Sequence, residues 1–166
     1  MKTLHLLRHG KSSWEIDSVK DIDRPLLERG MKNTYTMAER FLKRFPAPDL
    51  IISSCANRAV HTAQIFARTV KYPINKISID EKTYEAANAD VFDVVMAAGN
   101  DVNSLLVVGH NPSFTEIANW YLDPGIENVH TSGLVSIVFD CDNWSDIQRC
   151  EYKATFESPK QNLNEK

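Results

Sequence analysis

The sequence predicts an α/β fold, with a mostly parallel sheet and helices on both faces. The first observation is alternation. Strand-like apolar runs alternate with stretches whose apolar residues recur at helical spacing, the pattern of βα units. The second is how three of those runs end. Leu4-His5-Leu6-Leu7 enters Arg8-His9-Gly10, Leu50-Ile51-Ile52 enters Ser53-Ser54 and then Arg58, and Leu105-Leu106-Val107-Val108 enters Gly109-His110-Asn111-Pro112. The C-terminal ends of parallel strands share one edge, where ligands bind. Imidazole and guanidinium groups collected there, without a cluster of carboxylates or cysteines, point to a phosphoryl group.

The elements follow in order. Residues 3–8 form a strand. Residues 10–28 are polar and loop-like, interrupted by Pro25. Gly30 precedes a helix over about 31–44, with Met37, Phe41, Leu42 and Phe45 near helical spacing, and Pro46 and Pro48 end it. Residues 49–53 are a continuous apolar run, as expected of a strand covered on both faces. Asn57 is placed to cap a helix over 58–69, with Ala59, Ala63, Phe66 and Ala67 on its apolar side. Residues 76–79 are a short strand, and 90–98 a helix with Val91, Val94 and Val95 inward. Residues 103–109 are a third buried strand. Ser113 or Thr115 starts a helix running to about Leu122. Residues 133–139 and 151–156 are late strands, for which antiparallel edge positions are open.

The 166-residue chain is most economically one domain over 1–160, followed by a flexible tail over 161–166. A composition 43% hydrophobic and 25% charged is that of an ordinary globular protein. The net charge of -3 argues against non-specific nucleic-acid binding, which needs a basic face. Cys55, Cys141 and Cys150 are odd in number and lack CxxC spacing, so neither a disulfide framework nor a zinc site is expected. No leader pattern precedes the first strand, and no apolar stretch approaches the roughly 18 residues of a membrane span. The expectation is a cytoplasmic protein with no membrane partner. Oligomeric state is not encoded in any of these features.

Phosphoryl chemistry needs groups that hold charged oxygens and a nucleophile in line with the leaving group. Arg8 and Arg58 suit the first task, because guanidinium binds phosphate as a bidentate fork that stays charged. His9 suits the second, since imidazole forms covalent intermediates near neutral pH. His110, at an equivalent strand end, would stabilise transferred charge as imidazolium. The leaving oxygen needs an acid. Glu85, just beyond the short strand at 76–79, is the candidate. Neighbouring cations would lower its pKa and burial would raise it. Lys11 and Ser12 follow the nucleophile and are placed to donate to phosphate, as are Thr131 and Ser132 before a late strand. His5, His61 and His130 read as structural or exposed, and His61 also as a rim residue. Trp14 in the early loop reads as packing or as a lining of the substrate mouth.

Leu7-Arg8-His9-Gly10 resembles the signature of the histidine phosphatase, or phosphoglycerate mutase-like, superfamily. Ser53-Ser54-Cys55-Ala56-Asn57-Arg58-Ala59-Val60-His61-Thr62-Ala63 resembles its second arginine segment, with Cys55-Ala56 in place of the usual proline. Val108-Gly109-His110-Asn111 resembles its second histidine segment. Asp23-Arg24-Pro25-Leu26 followed by Gly30, the compact length and the tail Ser158-Pro159-Lys160 resemble the small SixA-type phosphohistidine phosphatases. The resemblance implies a three-layer α/β/α sandwich and a covalent phosphohistidine at His9. It implies a phosphate pocket of Arg8, Arg58 and His110, with Arg24 near its mouth. No metal or organic cofactor is implied. A phosphohistidine in a protein is the implied substrate. A phosphatase for a small metabolite such as a sugar phosphate, a mutase and a non-catalytic phosphate-binding module stand as alternatives.

Overall fold

The apolar runs form one sheet in a computed structural model, which describes residues 1–160. The tail expected at 161–166 lies outside the described residues. Strands β1 (Lys2–Arg8), β2 (Leu50–Ser53), β3 (Ser78–Ile79) and β4 (Ser104–Gly109) pair in parallel. Strands β5 (Leu134–Phe139) and β6 (Tyr152–Glu157) extend the sheet in the order β3-β2-β4-β1-β5-β6. β5 runs antiparallel to β1, and β6 antiparallel to β5, so the late strands take the antiparallel option.

Helices cover both faces, giving the expected three layers. On one face lie α1 (Glu28–Leu42) and α2 (Asn57–Thr69), packed with Leu7, Ile51, Leu106 and Val108. On the other lie α3 (Asn88–Met96) and α4 (Ser113–Tyr121), packed with Leu4, Leu6, Leu105 and Val107. Adjacent residues of one strand thus enter different cores, as the pleat requires. Fully buried Phe41 on α1 and Phe66 on α2 meet edge to face at 5.2 Å. Burying a side chain of this size contributes about 1.5–3 kcal/mol.

Three helix starts differ from the sequence expectation, α3 beginning at Asn88, two residues before the expected 90. α1 begins at Glu28, and Gly30 lies inside its first turn rather than before it. A Cβ on Gly30 would lie 2.4 Å from the Lys11 carbonyl oxygen. That glycine is a contact point between helix and loop, not a helix breaker. α2 begins at Asn57, whose side chain makes no cap; its amide donates instead to the Asp23 carbonyl at 3.3 Å. Among the described residues, no helix is long and apolar enough to cross a membrane.

The sheet order sets the site. β4 lies between β1 and β2, with Arg8 level with Gly109 and Ser53 level with Val108. The His9 N–H donates to the Gly109 carbonyl at 3.0 Å, and the Ser54 N–H to the Val108 carbonyl at 2.9 Å. The three loops that carry basic groups therefore leave the sheet side by side.

Candidate active site

At that edge a pocket of about 270 Å³ is lined by Arg8, His9, Asp21, Arg24, Arg58, Tyr84, Glu85, His110 and Asn111. Each side chain reaches it for a local reason. His9 is the first residue past β1. Its Nδ1 lies 2.8 Å from the Gly10 carbonyl. A carbonyl only accepts, so Nδ1 carries the proton and Nε2 keeps its lone pair. No described residue bonds to Nε2. The turn behind His9 is pinned by the Gly10 N–H, which donates to Thr62 Oγ1 on α2 at 2.9 Å. That hydroxyl in turn donates to the Arg58 carbonyl at 2.7 Å. One threonine thus ties the β1 loop to the first turn of the helix that carries Arg58.

The pocket holds its histidines neutral. Burial pushes His9 down to about 3 from its ordinary 6.5. The Gly10 carbonyl pulls the other way, and His110, Arg58 and Arg8 add to the fall. His110 is pushed down to about 4 by burial first and by Arg58 second. The two rings lie 5.0 Å apart, centroid to centroid. His110 Nε2 pairs with Ser54 Oγ at 2.7 Å, while its buried Nδ1 finds no partner among the described residues. Burial and the neighbouring guanidinium groups favour neutral His110 over the expected imidazolium. A bound phosphoryl anion would be needed to draw a proton onto it.

Asp21, which the sequence reading does not single out, organises the cations. Its Oδ2 accepts from Arg58 Nη2 at 3.0 Å and from the Tyr84 hydroxyl at 2.8 Å. Its Oδ1 accepts from Arg24 Nε at 3.0 Å, and its carbonyl from Arg58 Nη1 at 2.6 Å. Burial raises its carboxyl pKa, but the bonds from Tyr84 and Arg58 outweigh that and hold it low. The one available sequence cue was an acid three residues before Arg24. Nothing local links it to Arg58, 37 positions on.

The remaining candidates divide. Arg24 reaches the pocket and is buried, with Trp14 stacked over its guanidinium at 3.4 Å. Glu85 is exposed on the rim, with a left-handed backbone φ of 52°. Ser12 does not line the pocket; its buried hydroxyl accepts from Arg24 Nη1 at 3.0 Å. Lys11 and Thr131 line a neighbouring cavity instead. Ser132 is fully buried, and its N–H holds the Arg8 and His9 carbonyls at 3.1 Å each. His5 is core, and His61 lies on a surface groove with Met31 and Tyr35. Tyr84, Thr62 and Ser54 join Asp21 as unexpected contributors. Thr62 was legible in principle, four residues after Arg58 on the same helix face.

The chain matches the sequence profile of the histidine phosphatase superfamily (branch 1) over residues 4–91. An uncharacterised protein of Mycobacterium tuberculosis is 34% identical over 113 residues, covering 68% of this chain and 67% of that one. Among solved structures, an Agrobacterium tumefaciens protein assigned as phosphohistidine phosphatase SixA is 27% identical, with a TM-score of 0.75 over 95% of this chain and 98% of that chain. A protein histidine phosphatase SixA bound to tungstate, 21% identical, superposes with a TM-score of 0.76 over 95% and 97%. A mycobacterial glucosyl-3-phosphoglycerate phosphatase, 15% identical, shares the fold at a TM-score of 0.69 over 95% and 99%. With the profile spanning more than half its length, the chain belongs to the histidine phosphatase superfamily.

Proposed function

We propose that the protein is a phosphatase working through a covalent phosphohistidine at His9, and that it removes phosphate from phosphohistidine in a protein. The carrying observation is the His9 ring itself. It is neutral, its Nδ1 proton is spent on Gly10, and its Nε2 is free in a pocket walled by guanidinium groups. Nε2 attacks phosphorus, and the bond from phosphorus to the substrate nitrogen breaks. Arg8 and Arg58 hold the equatorial oxygens while charge spreads over them. The departing imidazole takes up a proton from solvent at the open mouth or from Glu85 on the rim. Water then attacks the phosphoryl group on His9, releasing inorganic phosphate and restoring neutral Nε2.

Two features favour the phosphoramidate substrate. Two short turns, Asp21–Asp23 and the segment at Tyr84 and Glu85, form the rim, and no inserted domain covers it among the described residues. A histidine presented on a protein surface can approach such a mouth. An imidazole also leaves with less proton assistance than an alkoxide, which suits an exposed Glu85. The same Glu85 favours the second reading, a small phosphate ester, if it protonates the leaving oxygen. The glucosyl-3-phosphoglycerate phosphatase that shares the fold keeps that reading open.

The test compares wild type and His9→Ala on a phosphohistidine protein, an aryl phosphate and a panel of sugar phosphates. The expected result is fastest wild-type turnover of phosphohistidine and at least a ~10³-fold loss in the variant, with its thermal midpoint preserved, as for loss of a covalent nucleophile. An alkaline quench should trap acid-labile phosphate on His9. Near-normal activity of His9→Ala sinks the mechanism. Faster sugar phosphate hydrolysis reassigns the substrate, and no turnover of any substrate favours the binding module.

A further inference from the structure

A second polar cavity, of about 220 Å³, opens on the other side of Arg8. Arg8 lines both cavities. Lys11, His130 and Lys160 add three more basic side chains to this one, and among the described residues no carboxylate lines it. That is a strong local bias in a chain of net charge -3. Arg8 and Lys11 are partly buried there, while His130 and Lys160 stand exposed at its edge; basic groups gathered around one concavity raise the local potential for an anion.

The walls are fixed rather than incidental. Arg8 Nη1 donates to the Val129 carbonyl at 2.8 Å, and Asn111 Nδ2 donates to Asn128 Oδ1 at 2.6 Å, so the wall loop is tied to both the nucleophile strand and the His110 loop. The buried Arg8 Nε has no hydrogen-bond partner among the described residues. On the far side, Arg40 of α1 donates to the Ser158 carbonyl at 3.0 Å and folds the Ser158-Pro159-Lys160 segment back against the cavity. That segment, singled out in the sequence, plays no part in the phosphoryl pocket.

We infer that this cavity is a second anion subsite, which takes a carboxylate or phosphate carried by the substrate beside its transferred phosphoryl group. The inference rests on the phosphatase reading of the first pocket, and Arg8 is the shared wall between the two anions. Such a group would come from an acidic residue flanking a phosphohistidine or from a second acidic group of a small phosphate. Lys11 and Lys160 would pair with it as mobile point charges, and the Asn128 and Thr131 side chains would give it directional bonds.

Direct binding calorimetry on wild type tests this without turnover, using propylphosphonate and 3-phosphonopropionate as probes. The carboxylate-bearing probe should bind at least about tenfold tighter. In Lys11→Gln/Lys160→Gln that advantage should shrink to under about twofold, the fingerprint of lost charge pairing. Equal affinities in wild type, or an advantage that survives in the variant, overturn the subsite. Hydrolysis then identifies the source. Phosphohistidine peptides with Glu or Gln beside the phosphohistidine form one arm, and aryl phosphates with or without a ring carboxylate form the other. A gain confined to the peptides assigns the anion to a protein side chain, and one confined to aryl phosphates assigns it to a small molecule. Measurable hydrolysis with a gain in neither arm overturns the proposal. Normal hydrolysis without phosphonate selectivity removes the subsite alone, whereas selectivity without hydrolysis removes the phosphatase reading alone.

Discussion

Asp21 sets two forces against each other. Its carboxylate repels an incoming phosphate, yet it holds Arg58, Arg24 and Tyr84 where they line the pocket. Tyr84 is pushed up to about 12, by burial first and then by its bond to Asp21, so it stays a neutral donor. Guanidinium must be aimed to bind phosphate as a fork, and aiming costs rotamer entropy that a fixed partner offsets. The orienting effect wins on this count, because Arg58 makes two bonds to Asp21. Asp21→Ala is expected to lower kcat/KM about tenfold, near 1.4 kcal/mol, with the loss mainly in KM. Steady-state kinetics decide it: a rise in kcat/KM would mean that repulsion dominates. This is also where the sequence ran short. Arg8, His9, Arg58 and His110 were legible because strand ends betray them. Asp21 was not, because Arg58 comes from the first turn of α2 and Tyr84 from the segment after β3, and no periodicity connects them.

At the scale of elements, α1 matters to the site through one residue without a side chain. Gly30 and Gly10 face each other where α1 crosses the loop after β1. A Cβ on Gly30 would meet the Lys11 oxygen at 2.4 Å and the Lys11 nitrogen at 2.7 Å, both backbone atoms. A Cβ on Gly10 would meet the Gly30 oxygen at 2.9 Å. Backbone cannot swing aside as a side chain can, so helix and loop would have to part. Gly30→Ala raises intrinsic helix propensity by about 1 kcal/mol. Overpacking costs about 1–3 kcal/mol, more where backbone is forced apart. Packing should win, lowering the unfolding free energy by about 1–2 kcal/mol in urea titrations and lowering kcat with it. A stabilised, fully active variant would show that the contact is slack. The sequence placed α1 correctly from Met37 and Phe41 but started it three residues late, because glycine reads as punctuation when its neighbours in space are unknown.

For the whole molecule, acid is the weak direction. His5, His9 and His110 are buried on or beside the central strands and are held at about 3, about 3 and about 4. In the unfolded chain each returns to about 6.5. Above that value both states are neutral, and these groups add no pH dependence. As pH falls below about 6.5 the unfolded chain takes up protons that the fold refuses, so stability drops until the folded values near 4 and 3 are reached. Each histidine contributes a slope of about 1.4 kcal/mol per pH unit in that window. His5 isolates the effect, because it lies outside the pocket. Its ring packs edge-on against Phe41 and Phe45, at 4.8 and 4.7 Å, and its Nδ1 pairs with Ser136 Oγ at 2.8 Å. Its Nε2 is buried without a partner among the described residues. Burial drives its low value first, and the Arg44 charge adds to it. Replacing the pair by His5→Leu/Ser136→Ala removes that liability and leaves no unpaired hydroxyl. Urea unfolding between pH 6 and pH 5 should show the slope of unfolding free energy against pH reduced by about 1.4 kcal/mol per unit, one proton fewer taken up on unfolding. An unchanged slope would mean that His5 protonates within the fold, and that the sheet is less dry at this point than its packing indicates.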